Sequence, residues 1–171
     1  VRVLSRERPA DGALPPAVDV VRGALADRER LRAAADGADV VLHLAALLHQ
    51  FGPPSAALDQ QYQQVNVEGT RNVVEAALAA RAGRIVYLST IAVYGPTRGT
   101  VADEDTRPQP DTPYGRTKLE AETFVTGAHG ERGTAGVVLR AAAVYGPRIK
   151  GNYRTLAEAI ARGRYVPIGR G

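Results

Sequence analysis

The chain has no cysteine, no methionine and no tryptophan, and only two phenylalanines. The lack of cysteine excludes disulfides and thiolate metal sites. No apolar run reaches the ~18 residues that would suggest a membrane span, and no signal-peptide pattern opens the chain, so the cytoplasm is the expected location. Basic blocks are missing too. The net charge of +4 comes from arginines dispersed among acids with little aromatic interleaving, so neither nucleic acid nor a membrane surface is expected as a partner. Lysine is scarce, with Lys118 and Lys150 the only two. Methionine is absent even at position 1, where Val1 leads directly into a strand-like stretch. The chain is therefore expected to be cut from inside a fold.

What is present is ordinary for a globular protein, with 44% hydrophobic and 23% charged residues among 171. Short β-branched runs alternate with helical periodicity. Strands are expected at residues 1–5, 18–21, 39–46, 84–90 and 136–140. Helices are expected at 28–35 (capped by Asp27, closed by Gly37), 58–81 (stopped by Gly83), 114–127 and 153–161. Such alternation implies an α/β fold with a doubly wound parallel sheet. The segment 95–111 reads as a long polar loop, of a length that often carries function. Ala92-Val93-Tyr94-Gly95-Pro96 recurs as Ala143-Val144-Tyr145-Gly146-Pro147, each time at the carboxyl end of a strand, where open parallel sheets bind ligands.

The scarce lysine gives Thr112-Pro113-Tyr114-Gly115-Arg116-Thr117-Lys118 its interest. On a helix starting at Pro113, Tyr114 and Lys118 lie on one face a turn apart. Seven tyrosines and two lysines in 171 positions produce about 0.08 such pairs by chance. A neighbouring ammonium lowers a phenol's pKa of about 10 by ~1–3 units, toward useful acid–base chemistry. His43 and His49 are expected to be structural, and no metal site is expected. Asn66, on the apolar side of its helix, needs a partner: it either ties down a loop or orders water near a site.

Five motifs in order, HLAA (43–46), NVEGTRNVVEAA (66–77), YLSTIAVYG (87–95), PYGRTK (113–118) and LRAAAVYGPR (139–148), resemble the extended short-chain dehydrogenases/reductases. More narrowly, they are similar to the NAD-dependent epimerase/dehydratase family. The resemblance implies a Rossmann-like dinucleotide-binding domain over 1–147, with a substrate-binding region beginning at 148–171. It casts Tyr114 as acid/base, Lys118 as ligand of the cofactor ribose and modulator of Tyr114, and Thr90 as hydrogen-bond partner of the reacting oxygen. Ala45, Ala46, Ser89, Asn66 and Arg6 fall at cofactor positions, and Asn152 and Ala143 at substrate positions. NAD or NADP is the implied cofactor, with NAD favoured by the family and Arg6 suited to a 2′-phosphate. A nucleotide-sugar is the implied substrate. Helices 58–81 and 114–127 could pair across a two-fold axis in a homodimer, as in relatives.

Departures from the family pattern open alternatives. The glycine-rich phosphate turn and first strand expected before Val1 are absent. That implies weak cofactor binding by residues 1–171, an inactive fragment, and two strands without a ladder partner. Ala24 replaces a common Asp, and Ala143 replaces an Asn found in many nucleotide-sugar enzymes. With Arg6, Ala143 supports an NADP-dependent ketone reductase or hydroxysteroid-type dehydrogenase as the second reading. A non-catalytic nucleotide sensor is the third, opposed by the retained Tyr114, Lys118 and Thr90.

Overall fold

The computed structural model describes residues 1–10, 12–48, 55–97, 99–144, 146 and 152–164. Its strands are β1 (Arg2–Ser5), β2 (Asp19–Arg22), β3 (Val40–His43), β4 (Arg84–Thr90) and β5 (Ala135–Ala141). The helices are α1 (Arg28–Ala35), α2 (Ala56–Tyr62), α3 (Gly69–Ala79), α4 (Pro113–Gly127) and α5 (Asn152–Ala161). Residues Val1–Arg140 form one compact unit and Ala141–Gly171 a second, which among its described residues contains α5. No helix among the described residues is long and apolar enough to cross a membrane.

In the first unit β1 pairs in parallel with β2, and β3 pairs in parallel with β4, which has β5 on its other side. The α/β reading holds, with the sheet in two pieces. Between β1 and β3 lies an open cleft of about 860 Å³, lined by Val3, Leu4, Val41 and His43 of the strands and Leu31, Ala35, Val73 and Ala76 of the helices. Among the described residues, neither strand has a ladder partner on its cleft side. The main core lies between β4 and the helices, where Ile85 and Tyr87 pack with Val74 and Ala77 of α3 and Ala121 and Val125 of α4.

Two boundaries differ from expectation for physical reasons. The helix expected at 58–81 runs from Ala56 to Ala79 and contains a π-helical stretch, Gln63–Glu68, between α2 and α3. The wider turn accommodates an extra residue, and it buries Asn66 and Val67 together. Its end is not made by Gly83. Arg81 takes the left-handed conformation (φ 56°), while Ala82 N–H bonds Ala77 O at 3.0 Å and Arg81 N–H bonds Leu78 O at 3.1 Å, a Schellman closure. The strand expected at 39–46 is shorter, since Leu44 to Ala46 leave the ladder. The remaining helices start and end within a residue of expectation, α1 with its Asp27 cap 3.0 Å from Arg30 N.

Candidate active site

α4 positions the central pair. Thr112 caps it, with its hydroxyl accepting from Gly115 N–H at 3.0 Å, and Pro113 occupies the first turn where no N–H is needed. Gly115 is required by close approach: a Cβ there would sit 2.7 Å from the Ala92 carbonyl. That approach brings α4 against the 3-10 turn Ile91–Tyr94 that follows β4. It also brings the Tyr114 phenol near enough to the Thr90 hydroxyl for Thr90 to lower its pKa. Tyr62 tilts its ring against Tyr114, with centroids 6.2 Å apart, and donates its own hydroxyl to Leu48 O at 3.1 Å.

Lys118 lies one turn along α4, as the spacing predicts, but not in the expected surroundings. It is 2% exposed, donates to Leu88 O at 2.7 Å and sits 4.1 Å from the centre of the Tyr87 ring. Burial pulls its pKa down to about 8, opposed by the charge of Glu122. The expectation that Lys118 acidifies Tyr114 is not met in this conformation. Burial holds the Tyr114 phenol above its ordinary value, the Thr90 hydrogen bond lowers it, and the neighbouring Tyr62 raises it. The ammonium is instead occupied by a carbonyl and an aromatic face, both from β4.

Around the pair, Asn66 resolves its two alternatives in favour of the loop. Its Oδ1 accepts from Leu47 N–H at 2.7 Å, and its Nδ2 donates to Leu47 O (3.2 Å) and Thr117 Oγ1 (3.3 Å). One amide thus ties the segment after β3 to α4. His43 is buried, with Nε2 2.9 Å from Thr70 Oγ1. The Thr70 proton goes to Asn66 O at 2.6 Å, so His43 must be the donor and carries its proton on Nε2. Desolvation, then the nearby Lys118 charge, lowers its pKa to about 4. No group of three potential metal ligands occurs among the described residues.

The other predicted positions lie as follows. Ala45 is exposed and Ala46 half-buried just after β3, and Arg6 is exposed just after β1. Ala143 is exposed, and Asn152 opens α5 in the second unit. His49 and Lys150, and Tyr145 and Pro147 of the repeated motif, lie outside the described residues. Ser89 is buried, and its hydroxyl donates to Glu122 at 2.5 Å.

Glu122 went unremarked in the sequence. It is 5% exposed and receives a fork from Arg140, whose Nη2 lies 2.8 Å away. Arg140 Nη1 also donates to the Tyr94 hydroxyl at 3.0 Å. The spacing offered a signal: Glu122 follows Lys118 by four residues on the same helical face, in a stripe otherwise apolar or small.

The model of the NAD dependent epimerase/dehydratase family matches residues 1–167. The chain belongs to that family. It is 31% identical over 163 residues to a 3 beta-hydroxysteroid dehydrogenase/Delta 5-->4-isomerase of Mycobacterium tuberculosis, covering 91% of this chain and 44% of that protein. It is 31% identical over 135 residues to a UDP-glucose 4-epimerase of Vibrio cholerae, covering 76% of this chain and 40% of that one. Among solved structures, MoeE5 in complex with UDP-glucose and NAD superposes with a TM-score of 0.79 at 31% identity, over 95% of this chain and 53% of MoeE5. The chain thus spans less than half the length of these curated relatives.

Proposed function

We propose that the full-length protein is a nucleotide-sugar epimerase or dehydratase that oxidises its substrate transiently with a bound nicotinamide cofactor, in the cytoplasm. The observation carrying this reading is the meeting of the Tyr114 phenol with the Thr90 hydroxyl, one helical turn from a buried lysine. The residues present suit part of a nicotinamide dinucleotide. Ala45 and Ala46 offer small side chains just beyond β3, and the exposed Arg6 offers a guanidinium beyond β1. Lys118 would hold ribose hydroxyls once its flexible stem turns from Leu88 O. NAD is the favoured form, with Arg6 suited to NADP. The bound cofactor accepts and returns a hydride.

The chain's own part is proton handling. With its pKa raised, Tyr114 is a phenol at neutral pH and stands ready as a proton donor to a ketone oxygen, with Thr90 sharing the hydrogen bond. To act as base toward a substrate hydroxyl it needs added positive charge, which Lys118 supplies on turning toward it. Half-burial beside Tyr62 limits the access of water to that proton.

A second reading, an NADP-dependent ketone reductase or hydroxysteroid-type dehydrogenase, is favoured by Ala143, by Arg6 and by the hydroxysteroid dehydrogenase among the relatives. The two separate in one experiment. The full-length protein is given UDP-glucose with NAD, then a ketone panel with NADPH. Epimerase turnover leaves coenzyme unconsumed, whereas a reductase oxidises NADPH stoichiometrically. Tyr114→Phe should lower kcat at least ~100-fold with little change in KM, and an unchanged rate would remove both enzymatic readings.

A further inference from the structure

A buried carboxylate held by a half-buried guanidinium poses a question that packing does not answer. Taking a carboxylate out of water is costly even when it is paired, so the Glu122–Arg140 pair calls for another role. Its connections suggest one. Glu122 stands on α4, the helix that carries Tyr114, and accepts the Ser89 hydroxyl from the end of β4. Arg140, on β5, forks onto Glu122 through Nε (3.2 Å) and Nη2 (2.8 Å). Its Nη1 donates to the Tyr94 hydroxyl, and its guanidinium carbon lies 4.9 Å from the centre of that ring. Ser89 and Tyr94 bracket the segment that holds Thr90. Thr90 in turn caps the 3-10 turn between them, accepting from Ala92 N–H at 3.2 Å. One carboxylate–guanidinium pair therefore grips both ends of the Thr90 segment and fastens it to the helix of Tyr114.

We propose that Ser89, Glu122, Arg140 and Tyr94 form a clamp that sets the Thr90 hydroxyl against the Tyr114 phenol, acting as positioning residues for proton transfer. In this assignment Ser89 serves the clamp and not the cofactor, because its proton is committed to Glu122. The proposal rests on Tyr114 and Thr90 being the proton-transfer pair. Misplacing a reacting hydrogen bond by a fraction of an ångström lowers turnover while leaving substrate affinity largely intact.

The test uses the full-length protein and whichever of the two assays above registers turnover. Tyr94→Phe keeps the ring and loses one bond, and Arg140→Lys keeps the charge and loses the fork. Each should lower kcat about tenfold with KM changed less than about twofold. Ser89→Ala, the mildest change, should do so to a smaller extent. A second measurement needs no catalysis: tyrosines labelled with carbon-13 at Cζ are titrated by NMR, with the Tyr114 signal assigned by its loss in Tyr114→Phe. The groups that act on this phenol are Thr90, which lowers its pKa, Tyr62, which raises it, and Tyr87, which is coupled to it from β4. A loosened clamp should therefore move the Tyr114 titration to higher pH in Tyr94→Phe and Arg140→Lys. Unchanged kcat with an unmoved titration would overturn the clamp, as would a loss carried by KM. If Tyr114→Phe is inactive while the clamp variants behave as wild type, the clamp alone fails. An active Tyr114→Phe sinks the underlying reading instead.

Discussion

The two faces of the β3–β4–β5 sheet are built differently. Toward the helices, Val41, Ile85, Tyr87 and Val138 pack with residues of α3 and α4, and Ile85 is fully buried. On the opposite face the flanking strands carry open apolar residues, while Val86 and Leu88 of the central strand are half-buried. Val40 is 49% exposed, Leu42, which registers with Val86, is 62% exposed, and Leu139 is 49% exposed. Parallel strands normally have both faces covered, and these carry the near-continuous apolar sequences that such burial demands. The difference teaches that the strand sequences are written for two layers of cover, of which the described residues of the first unit supply one. It also separates the buried ionisable groups from the open face. Lys118, His43 and Glu122 lie buried on the covered side, in a low-dielectric setting that shifts the first two pKa values downward.

The comparison can be broken most directly by truncating one residue on each face. Ile85→Ala in the 171-residue chain should cost about 2–5 kcal/mol, because it removes a fully buried side chain between two helices and leaves a cavity. Urea unfolding with an unchanged slope would measure it. A cost below about 1 kcal/mol would mean that the covered face is not packed as described.

Between pH 7 and pH 4 acid should act chiefly through His43 on the covered side. His43 takes a proton near pH 6.5 when unfolded but only near 4 when folded, because burial and Lys118 oppose its charge. The unfolded chain thus binds the extra proton between those values. Stability is complete above about 6.5 and falls by about 1.4 kcal/mol for each pH unit below it, down to about 4. Unfolding curves at pH 7 and pH 5 should show this loss, and His43→Gln should flatten it. An equally steep loss in His43→Gln would place the acid sensitivity elsewhere.

How far the sequence reached follows from which interactions are local. β4 and α4 were legible to the residue or nearly so, since the short apolar run at 85–88 between polar flanks and the Thr-Pro start at 112–113 each act within a few positions. The π-helical stretch was not, because residues four apart on an α-helix and five apart across a π turn leave nearly the same apolar stripe. Tyr114, Thr90 and Lys118 could be singled out by type and spacing. The direction of the Tyr114 shift could not, since it depends on desolvation beside Tyr62, 52 positions away, and on Lys118 turning to Leu88. Glu122 and Arg140 stayed hidden for the same reason: their bond exists only because β5 lies next to β4 beneath α4.

The smallest expected effect is the sharpest test of the open face. Leu42→Gln replaces an apolar surface that water already reaches across most of its area with an amide. In the 171-residue chain little burial is lost, and the substitution should change stability by less than about 0.5 kcal/mol. It should also lower self-association, because Val40, Leu42 and Leu139 together make an apolar patch of the kind that sticks to another surface. Urea unfolding beside sedimentation of the same sample reads both quantities. In a longer protein that carries a second layer, the same substitution buries an amide without a partner and should cost roughly 1–3 kcal/mol. A penalty of that size already in the 171-residue chain would show that Leu42 is covered in solution, and the contrast between the two faces would then vanish.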